Sequence, residues 1–441
     1  MKASKFNIFS DTDDGNILAF NSVTCALVKI DRNTYQKYLT STDGLSEMDE
    51  KTDPTISAFI KGGFLIPDRM DEIDIIKIKE AKGRYSVTNS LGLTIAVTTA
   101  CNFNCEYCFE NGIKPEFMSR DVEEKIIRFV DNFLQPNGSL GITWYGGEPL
   151  LALDTICRLS DAFERIVSEK QLTYTAGIIT NGYLLDCKTA SELAKRKVSI
   201  AQITLDGSQE QHDSRRMLKN GGGTFHKIMD NIAQIVDIIP VNVRCNLDKS
   251  NIDAFPKLLD EFDRYGLSHK VNIGPFALEA FDFSSGEIKD KAIPIKDFTN
   301  FYYESVNMML DRGIHVSLLP SPKKIFCVAA TEYTFVVDPL GRLYKCWDLI
   351  GREDEIIGTV DKGIKLEDGS AKWLTWDYLK YEECLNCNIL PICLGGCPRL
   401  KLVKDAQMNS RDRCPTYKFD MPGFIKLLYR QKDAGKRMVV K

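Results

Sequence analysis

The chain has 441 residues, of which 44% are hydrophobic and 27% are charged, and its net charge is -4. This length and composition predict a globular protein of two or three domains with a sizeable core. The small net charge argues against a protein that binds polyanions, so we expect no nucleic-acid partner.

Residues 1–70 carry three strand-like runs, "KFNIFS", "GNILAF" and "ALVKID", separated by Asp, Gly and Asn turn signals. Helical stretches follow around "DRNTYQKYL" and after Asp53-Pro54. We predict a small winged-helix-like α+β domain here, and a structural cap on the next domain is the alternative. The N-terminus lacks a signal-peptide core and no run approaches about 18 apolar residues, which predicts a soluble, cytoplasmic protein with no membrane partner.

The polar segment after this domain predicts a linker over 71–90, and the next domain covers 91–320. Here six strand-like runs alternate with amphipathic stretches: "LTIAVTT", "LGITWYG", "TYTAGIIT", "SIAQITLDG", "PVNVRCNLD" and "KVNIGPF". In "SRDVEEKIIRFVDNFL", Ser119 is a helix N-cap, and the apolar face consists of Ile126, Phe129, Val130 and Phe133. Six βα units predict an α/β fold, a partial (β/α)6 TIM barrel with its helices outside.

In such barrels the functional groups sit at the C-terminal ends of the strands. Five polar or glycine-bearing motifs directly follow predicted strands: "CNFNCEYCF", "YGGEP", "TNG", "LDG" and "CNLD". We therefore expect them to meet at one mouth of the barrel.

Fourteen cysteines are many for a cytoplasmic protein, because disulfides are rare in that compartment. Clustered cytosolic thiols indicate metal, and ten of them form two groups: Cys101, Cys105 and Cys108; then Cys327, Cys346, Cys384, Cys387, Cys393, Cys397 and Cys414. We predict a metal-folded domain over 321–425 and a frayed basic tail over 426–441. The remaining four thiols, Cys25, Cys157, Cys187 and Cys245, are interpreted as small buried hydrophobes.

Three thiols in the first group leave a metal site incomplete. A 4Fe–4S cluster normally takes four thiolates, so a loop with three leaves one iron open for an outside ligand. A zinc site would want a nearby histidine as its fourth ligand. The chain has four histidines, His212, His226, His269 and His315, and none lies within 100 residues of the loop.

The spacing C-x3-C-x2-C, with Tyr107 before the last cysteine, resembles the motif of the radical S-adenosylmethionine (SAM) enzymes. The resemblance implies a 4Fe–4S cluster on Cys101, Cys105 and Cys108 whose open iron binds the amino and carboxylate groups of SAM. Reduction, by a flavodoxin or ferredoxin, would then cleave SAM to a 5′-deoxyadenosyl radical. In the family "YGGEP" holds the SAM amino group, and equivalents of "TNG" and "TLDG" hold the carboxylate and ribose.

Carried over to this chain, the SAM-binding residues that the resemblance implies are Tyr107, Gly146, Gly147, Glu148, Pro149, Thr180, Asn181, Thr204, Asp206 and Asn246. "QHDSRR" is a weaker candidate, and the sequence does not name a general base. No catalytic residue is therefore assigned.

The second cysteine group reads C-x13-G-x4-C, then C-x2-C-x5-C-x3-C, then Cys414, which resembles the SPASM extension of peptide-modifying radical SAM enzymes. The resemblance implies two auxiliary 4Fe–4S clusters, a distal one on Cys384, Cys387, Cys393 and Cys414 and a nearer one on Cys327, Cys346 and Cys397. Three clusters, one of them open for SAM, need eleven thiolates and the motifs supply ten. Cys245 or a non-cysteine side chain is a candidate fourth ligand; otherwise an open iron would bind a substrate thiolate.

These motifs favour an oxidoreductase that matures a ribosomally made precursor peptide, with a cross-link as product. The missing ligand favours a Cys thioether, and carbon–carbon or carbon–oxygen cross-links are alternatives. The N-terminal domain would take the leader peptide as an added strand, as in similar maturases.

Three other functions stay open. The first is an anaerobic sulfatase-maturing enzyme that makes formylglycine, although 100 residues precede the first cysteine motif here and few do in that group. The second is a maturase of a small molecule or quinone cofactor. The third is a non-enzyme, either a ferredoxin-like electron carrier or a zinc-bound interaction module, which would leave "YGGEP" and "TLDG" unexplained.

Overall fold

The computed structural model describes residues 1–41, 53–87, 89–280, 286–316, 318, 320–364, 367, 369–403 and 414–439, with the backbone alone for 433–439. The strands are β1 Lys2–Ala3, β2 Asn7–Asp11, β3 Ile17–Asn21, β4 Ala26–Ile30, β5 Leu65–Ile66, β6 Ser90–Thr98, β7 Ser139–Gly146, β8 Thr173–Thr180, β9 Val198–Thr204, β10 Val241–Leu247, β11 Asn272–Ala277, β12 Thr334–Val337, β13 Arg342–Tyr344, β14 Gly358–Thr359 and β15 Gly363–Ile364.

The helices are α1 Arg32–Thr40, α2 Pro54–Lys61, α3 Glu72–Tyr85, α4 Arg120–Phe133, α5 Leu153–Lys170, α6 Cys187–Lys195, α7 Gln209–Arg215, α8 Phe225–Ile235, α9 Phe255–Arg264, α10 Gly286–Lys291, α11 Ile295–Asp311, α12 Ala371–Leu374, α13 Glu382–Leu385, α14 Leu390–Cys393, α15 Arg399–Leu402 and α16 Met421–Val439. Short 3-10 turns lie at Pro149–Ala152, Ile252–Ala254, Val328–Ala330, Trp347–Leu349, Glu353–Glu355, Tyr378–Lys380 and Thr416–Lys418. Within the described residues, no helix is both long and apolar enough to cross a membrane.

The six predicted strands of the middle region are β6 to β11, and they lie side by side in chain order within one sheet. Each pairs with the next in parallel, as the register Leu93 to Ile142 between β6 and β7 illustrates. β12 adds to the other side of β6, also in parallel, and β13, β14 and β15 continue the sheet antiparallel. The predicted partial barrel of six βα units is confirmed.

The helix after the cysteine loop shows why these units form. The Ser119 side chain accepts the Val122 N–H at 3.3 Å and caps α4 as expected. Ile126 and Val130 are fully buried against the sheet. Phe129 and Phe133 meet Phe335 of β12 edge-on, at centroid distances of 6.0 and 6.4 Å.

β10 shows which side of the sheet carries polar groups. Val241, Val243 and Cys245 are buried in the apolar core, whereas Asn242, Arg244 and Asn246 alternate with them and are partly exposed. Since successive side chains of a strand point to opposite faces, the second set faces the barrel interior. The interior is therefore available for ligands.

The N-terminal residues form the predicted α+β arrangement, with β2, β3 and β4 as an antiparallel sheet and α1 and α2 packed near it. Phe6, which directly precedes β2, packs in one apolar cluster with Phe326, Trp376 and Tyr378 of the C-terminal region. The Ser22 hydroxyl donates to the Asn388 carbonyl at 2.5 Å. The domain is thus also docked on the cysteine-rich region, as the alternative of a structural cap requires.

The segment expected as a linker over 71–90 contains a packed helix, α3. Asp71 caps it by accepting the Ile73 N–H at 2.8 Å. On its last turn, Arg84 pairs with Glu80 at 2.9 Å and donates to the Trp376 carbonyl at 2.7 Å. These two charged residues are buried as an ion pair, and Arg84 also bonds to the neighbouring backbone.

The segment expected as a basic tail over 426–441 continues a helix. α16 begins at Met421 and continues to Val439. Phe424, Ile425, Leu427 and Leu428 are buried on one side of it, against the N-terminal sheet and α11. This apolar stripe has the helical spacing of three and four residues and extends past residue 426, and fraying of the end beyond it stays a prediction.

Candidate active site

The three thiols of Cys101, Cys105 and Cys108 lie in the loop that follows β6. Asn104 N–H donates to the Met217 carbonyl at 2.9 Å, and Asn111 Nδ2 donates to the Cys105 carbonyl at 2.9 Å. These bonds brace the loop from outside and from within. All three thiols line one cavity of about 390 Å³ at the mouth of the barrel.

Two glycines at the end of β7 let this strand meet the cysteine loop closely. Gly146 has a φ of 129°, and a Cβ there would lie 2.1 Å from the Thr98 carbonyl oxygen. A Cβ on Gly147 would lie 2.5 Å from the Ala100 carbonyl oxygen. We had expected the glycines to admit a ligand; backbone packing against Thr98 and Ala100 already requires them.

Glu148 does not face the cavity, although it was predicted to hold the SAM amino group. Its side chain is fully buried, and its carboxylate accepts the Leu150 N–H at 3.0 Å, the Thr180 hydroxyl at 2.7 Å and the Asn181 N–H at 2.8 Å. Burial raises the pKa of this carboxyl, while these hydrogen bonds act in the opposite direction. Glu148 thus fixes the turn "TNG", whose Thr180 and Asn181 do line the cavity.

A polar network links Tyr107 and Arg216 of the cavity lining to the buried Asp206. The Tyr107 hydroxyl donates to Asp206 and accepts from Arg216 Nη1 at 2.6 Å. Arg215 pairs with Asp248 at 2.8 Å, and the neutral His212 ring accepts the Asp206 N–H at 3.2 Å, since burial lowers the pKa of His212 well below its usual value. "QHDSRR", a weak candidate in the sequence, is therefore the core of this network.

The cavity brings together seven of the ten predicted SAM-binding residues: Tyr107, Gly146, Gly147, Thr180, Asn181, Thr204 and Asn246. The other three, Glu148, Pro149 and Asp206, are buried behind its wall. Their roles as direct contacts stay predictions, and the geometry gives Glu148 and Asp206 a positioning role.

Sequence reasoning missed several charged and aromatic groups of the cavity wall: Glu110, Tyr145, Arg244, Glu279, Trp347 and Asp348. Arg244 had a usable signal, since it precedes Asn246 by two residues and so faces the same side of β10. Trp347 stacks on Tyr145 with ring centroids 5.9 Å apart. That contact joins the C-terminal region to β7 and could not be read from local sequence.

The first three thiols suit an iron–sulfur cluster by their chemistry. Burial raises the pKa of Cys101 to about 11 and that of Cys108 to about 12, and it also raises the pKa of Cys105. Such thiols become thiolates only where positive charge meets them, and cluster iron provides that charge. The donor set therefore fits a 4Fe–4S cluster.

The electrostatic contacts among the C-terminal thiols are compatible with the two predicted sets, whose roles as cluster ligands stay predictions. Cys393 lies within electrostatic range of Cys384, Cys387 and Cys414, and burial raises its pKa to about 12. Lys418 Nζ donates to Cys387 Sγ at 3.0 Å, which places a cation beside this set.

In the other set, Cys397 lies within electrostatic range of both Cys327 and Cys346. Burial raises the pKa of Cys397 to about 11. Among the described residues, no group of three or more Cys, His, Asp or Glu could hold a single metal ion. Thiols around a zinc ion would converge to about 2.3 Å from one point, whereas a cluster holds them further apart.

Cys245 cannot complete the set of Cys327, Cys346 and Cys397. It is fully buried in the main core, on the face of β10 that packs against helices. Cys327 and Cys346 belong to a different apolar cluster, next to Trp373 and Tyr344. The suggestion that Cys245 closes the nearer cluster is therefore wrong, because the alternation along β10 turns it away from the barrel interior.

Residues 95–262 match the sequence profile of the Radical SAM superfamily. The chain therefore carries a radical SAM domain, with the cysteine loop and all of the cavity-lining turns of β6 to β10 inside the matched region. A radical SAM domain implies a 4Fe–4S cluster and SAM, for which the three thiols and the cavity have the right chemistry.

Two curated relatives match well beyond this domain. The radical SAM cyclopropyl synthase TigE of Paramaledivibacter caminithermalis is 21% identical, and the match covers 87% of each chain. The cysteine-type anaerobic sulfatase-maturating enzyme of Clostridium novyi is 25% identical over 68% of this chain and 86% of its own.

Among solved structures, Streptococcus suis SuiB bound to the precursor peptide SuiA shares the fold. The match has a TM-score of 0.51 at 15% identity, and it covers 92% of this chain and 100% of SuiB. At this identity the likeness concerns the fold alone.

Proposed function

We propose that this protein is a peptide maturase that uses SAM to abstract a hydrogen atom from a ribosomally made precursor peptide and close a cross-link in it. The observation that carries the proposal is the composition of the cavity. Its lining combines the thiols of the first motif with Trp347 and Asp348, which directly follow Cys346 of the nearer C-terminal set. A substrate in this space would lie close to the first cluster and to the residues beside the nearer auxiliary cluster.

When bound, the first cluster would reductively cleave SAM to a 5′-deoxyadenosyl radical, and the two auxiliary clusters would take up the electron released as the cross-link closes. The residues of the chain position the reactants. Thr180 and Asn181 present polar groups held by Glu148, and Tyr107 is fixed by Asp206 and Arg216. The stacked Tyr145 and Trp347 rings give the cavity an aromatic surface.

Two kinds of cross-link are candidates for the product. A Cys thioether follows from the ligand count of the nearer thiol set, because an iron without a protein ligand could hold a substrate thiolate. A carbon–carbon bond is favoured by the similarity to a cyclopropyl synthase, whose product contains a newly closed carbon ring. The similarity to sulfatase-maturating enzymes keeps formylglycine formation as an alternative.

Coexpression with short peptides encoded beside this reading frame tests the proposal. Cross-linking predicts a peptide lighter by two hydrogen atoms, with tandem mass spectrometry locating the joined residues. Formylglycine formation would instead change one Cys or Ser and leave the peptide backbone fragmenting freely around it. A peptide of unchanged mass, with intact clusters and active SAM cleavage, would remove the peptide-maturase proposal.

A further inference from the structure

Asp348 lies beside the thiol set that is one ligand short. It follows Cys346 by two residues, in the 3-10 turn Trp347–Leu349. Cys346 Sγ is 3.7 Å from Asp348 Oδ2, and the Asp348 carboxylate also lies within electrostatic range of Cys327. Two of the three thiols therefore share this carboxylate as a neighbour.

The other thiols of the chain lie at other places in the fold. Cys384, Cys387, Cys393 and Cys414 form their own set, and Cys245 is in the barrel core. Cys187 Sγ contacts Gln234 on the outside of the barrel at 3.6 Å. Cys157 lies on α5 near Arg196, and Cys25 lies in the turn before β4.

The surroundings hold Asp348 in a fixed orientation. Its side chain is only 14% exposed, and Arg399 Nε lies 3.1 Å from its Oδ2. Arg399 itself follows Cys397 by two residues and is anchored on its other side by Glu279. This ion pair restrains the Asp348 carboxylate, and carboxylates that bind metals are usually restrained by a second partner.

We propose that the Asp348 carboxylate is the fourth ligand of the nearer auxiliary cluster, together with Cys327, Cys346 and Cys397. Carboxylate oxygens are accepted ligands of iron, and non-cysteine ligands occur in iron–sulfur proteins. Because Asp348 also lines the catalytic cavity, the iron that it binds faces the substrate.

This ligand matters only if the chain holds the auxiliary clusters that the proposed function requires. It changes how the nearer cluster acts, because no iron would stand open for a substrate thiolate in the resting protein. A substrate thiol would have to displace a carboxylate held by Arg399. Ligand assignment therefore bears directly on the choice between a thioether and a carbon–carbon cross-link.

The test uses the full chain with Cys101, Cys105 and Cys108 changed to Ala, so that spectra report the auxiliary clusters alone. Iron and sulfide analysis comes first and should give about eight irons per chain. Electron paramagnetic resonance of the dithionite-reduced protein is then recorded with and without excess free cysteine as the thiol probe. We expect the spectrum to be unchanged by cysteine.

Asp348→Ala in this background should respond to free cysteine with a shifted signal, and on air oxidation it should show a 3Fe–4S signal from the unprotected iron. Asp348→Cys, which restores a ligand, should be insensitive to the probe. Asp354→Asn is the matched control, since it removes an exposed carboxylate six residues from Asp348, paired with Arg352 at 3.4 Å, and it should leave the spectrum as in the parent.

Two results would overturn the proposal. If the parent itself responds to cysteine, and Asp348→Ala and Asp348→Cys give the same spectra as the parent, Asp348 is not a ligand although the clusters exist. If the parent background contains no iron or sulfide, the chain holds no auxiliary clusters, and the assignment of Asp348 as a ligand is then also wrong. The iron analysis thus separates a failure of Asp348 from a failure of the proposed function.

Discussion

At the scale of single residues, Glu148 shows how a motif residue can support a cavity that it does not line. Its carboxylate accepts three hydrogen bonds, from Leu150, Thr180 and Asn181, in a fully buried position. Removing a buried acceptor leaves its donors without hydrogen-bond partners, and each such donor lowers the free energy of unfolding by about 1–3 kcal/mol. The residue is therefore expected to stabilise the empty protein as well as its complex with SAM.

We predict that Glu148→Ala lowers the free energy of unfolding of the SAM-free protein by about 2–5 kcal/mol and weakens SAM binding at least tenfold. Urea unfolding and equilibrium dialysis of SAM measure the two effects. Glu124→Ala, an exposed glutamate of α4, is the matched control and should change neither. A variant with unchanged stability but lost SAM binding would instead make Glu148 a direct ligand contact.

Residue identities could be predicted here better than their directions. The spacing of Cys101, Cys105 and Cys108 is local, so the sequence alone located the loop. Which carboxylates face the cavity depends on tertiary packing: Glu148 is buried behind the cavity wall, while Glu110 and Asp348 line the cavity. No local pattern distinguishes these cases, because the difference arises from how β6, β7 and the C-terminal region pack together.

At the scale of elements, the N-terminal sheet has β4 at one edge, paired with β3 on one side only within the described residues. The side chain of Val28 is exposed there, and the Leu27 carbonyl accepts from Lys432 at 3.3 Å. A carbonyl bonded outside the sheet shows that the backbone groups of Leu27 point away from β3. An edge of this kind can take an added peptide strand.

If the leader peptide adds to β4, Leu27→Pro should weaken precursor binding about tenfold or more, because proline removes an N–H that points away from β3. Reductive cleavage of SAM without peptide should be unaffected. Val28→Pro is the comparison, since its N–H points to β3, and it should lower thermal stability in the same way without removing the outward N–H. Fluorescence anisotropy of a labelled precursor measures binding, and equal affinity of Leu27→Pro and the parent would exclude leader binding at β4.

The strands of the barrel were predictable because each is an apolar run that ends in a turn motif, which is local information. The packing of α16 and α3 could not be predicted in this way, since the residues that contact these two helices lie far from them in the sequence. Arg84 meets the Trp376 carbonyl, and Phe6 meets Phe326, across about 300 residues of sequence. Packing of the N-terminal domain on the cysteine-rich region is accordingly visible only in the structure.

At the scale of the whole molecule, two parts of the chain line one cavity and the third is docked on one of them. The barrel provides the first three thiols, the C-terminal region provides Trp347 and Asp348, and the N-terminal domain contacts that region through Phe6 and Ser22. The proposed sites for the leader peptide, SAM and the auxiliary clusters would thereby be held in one arrangement. We expect about twelve irons per reconstituted chain, and zinc without sulfide would contradict the arrangement.

The most direct measurement is release of 5′-deoxyadenosine from SAM by the reconstituted, dithionite-reduced chain, compared with the variant in which Cys101, Cys105 and Cys108 are Ala. The three thiols supply every protein ligand of the cluster that would cleave SAM, so the parent should release deoxyadenosine. The variant should release none while it keeps about eight auxiliary irons. Deoxyadenosine from the variant, or none from a parent with full iron content, would contradict the account.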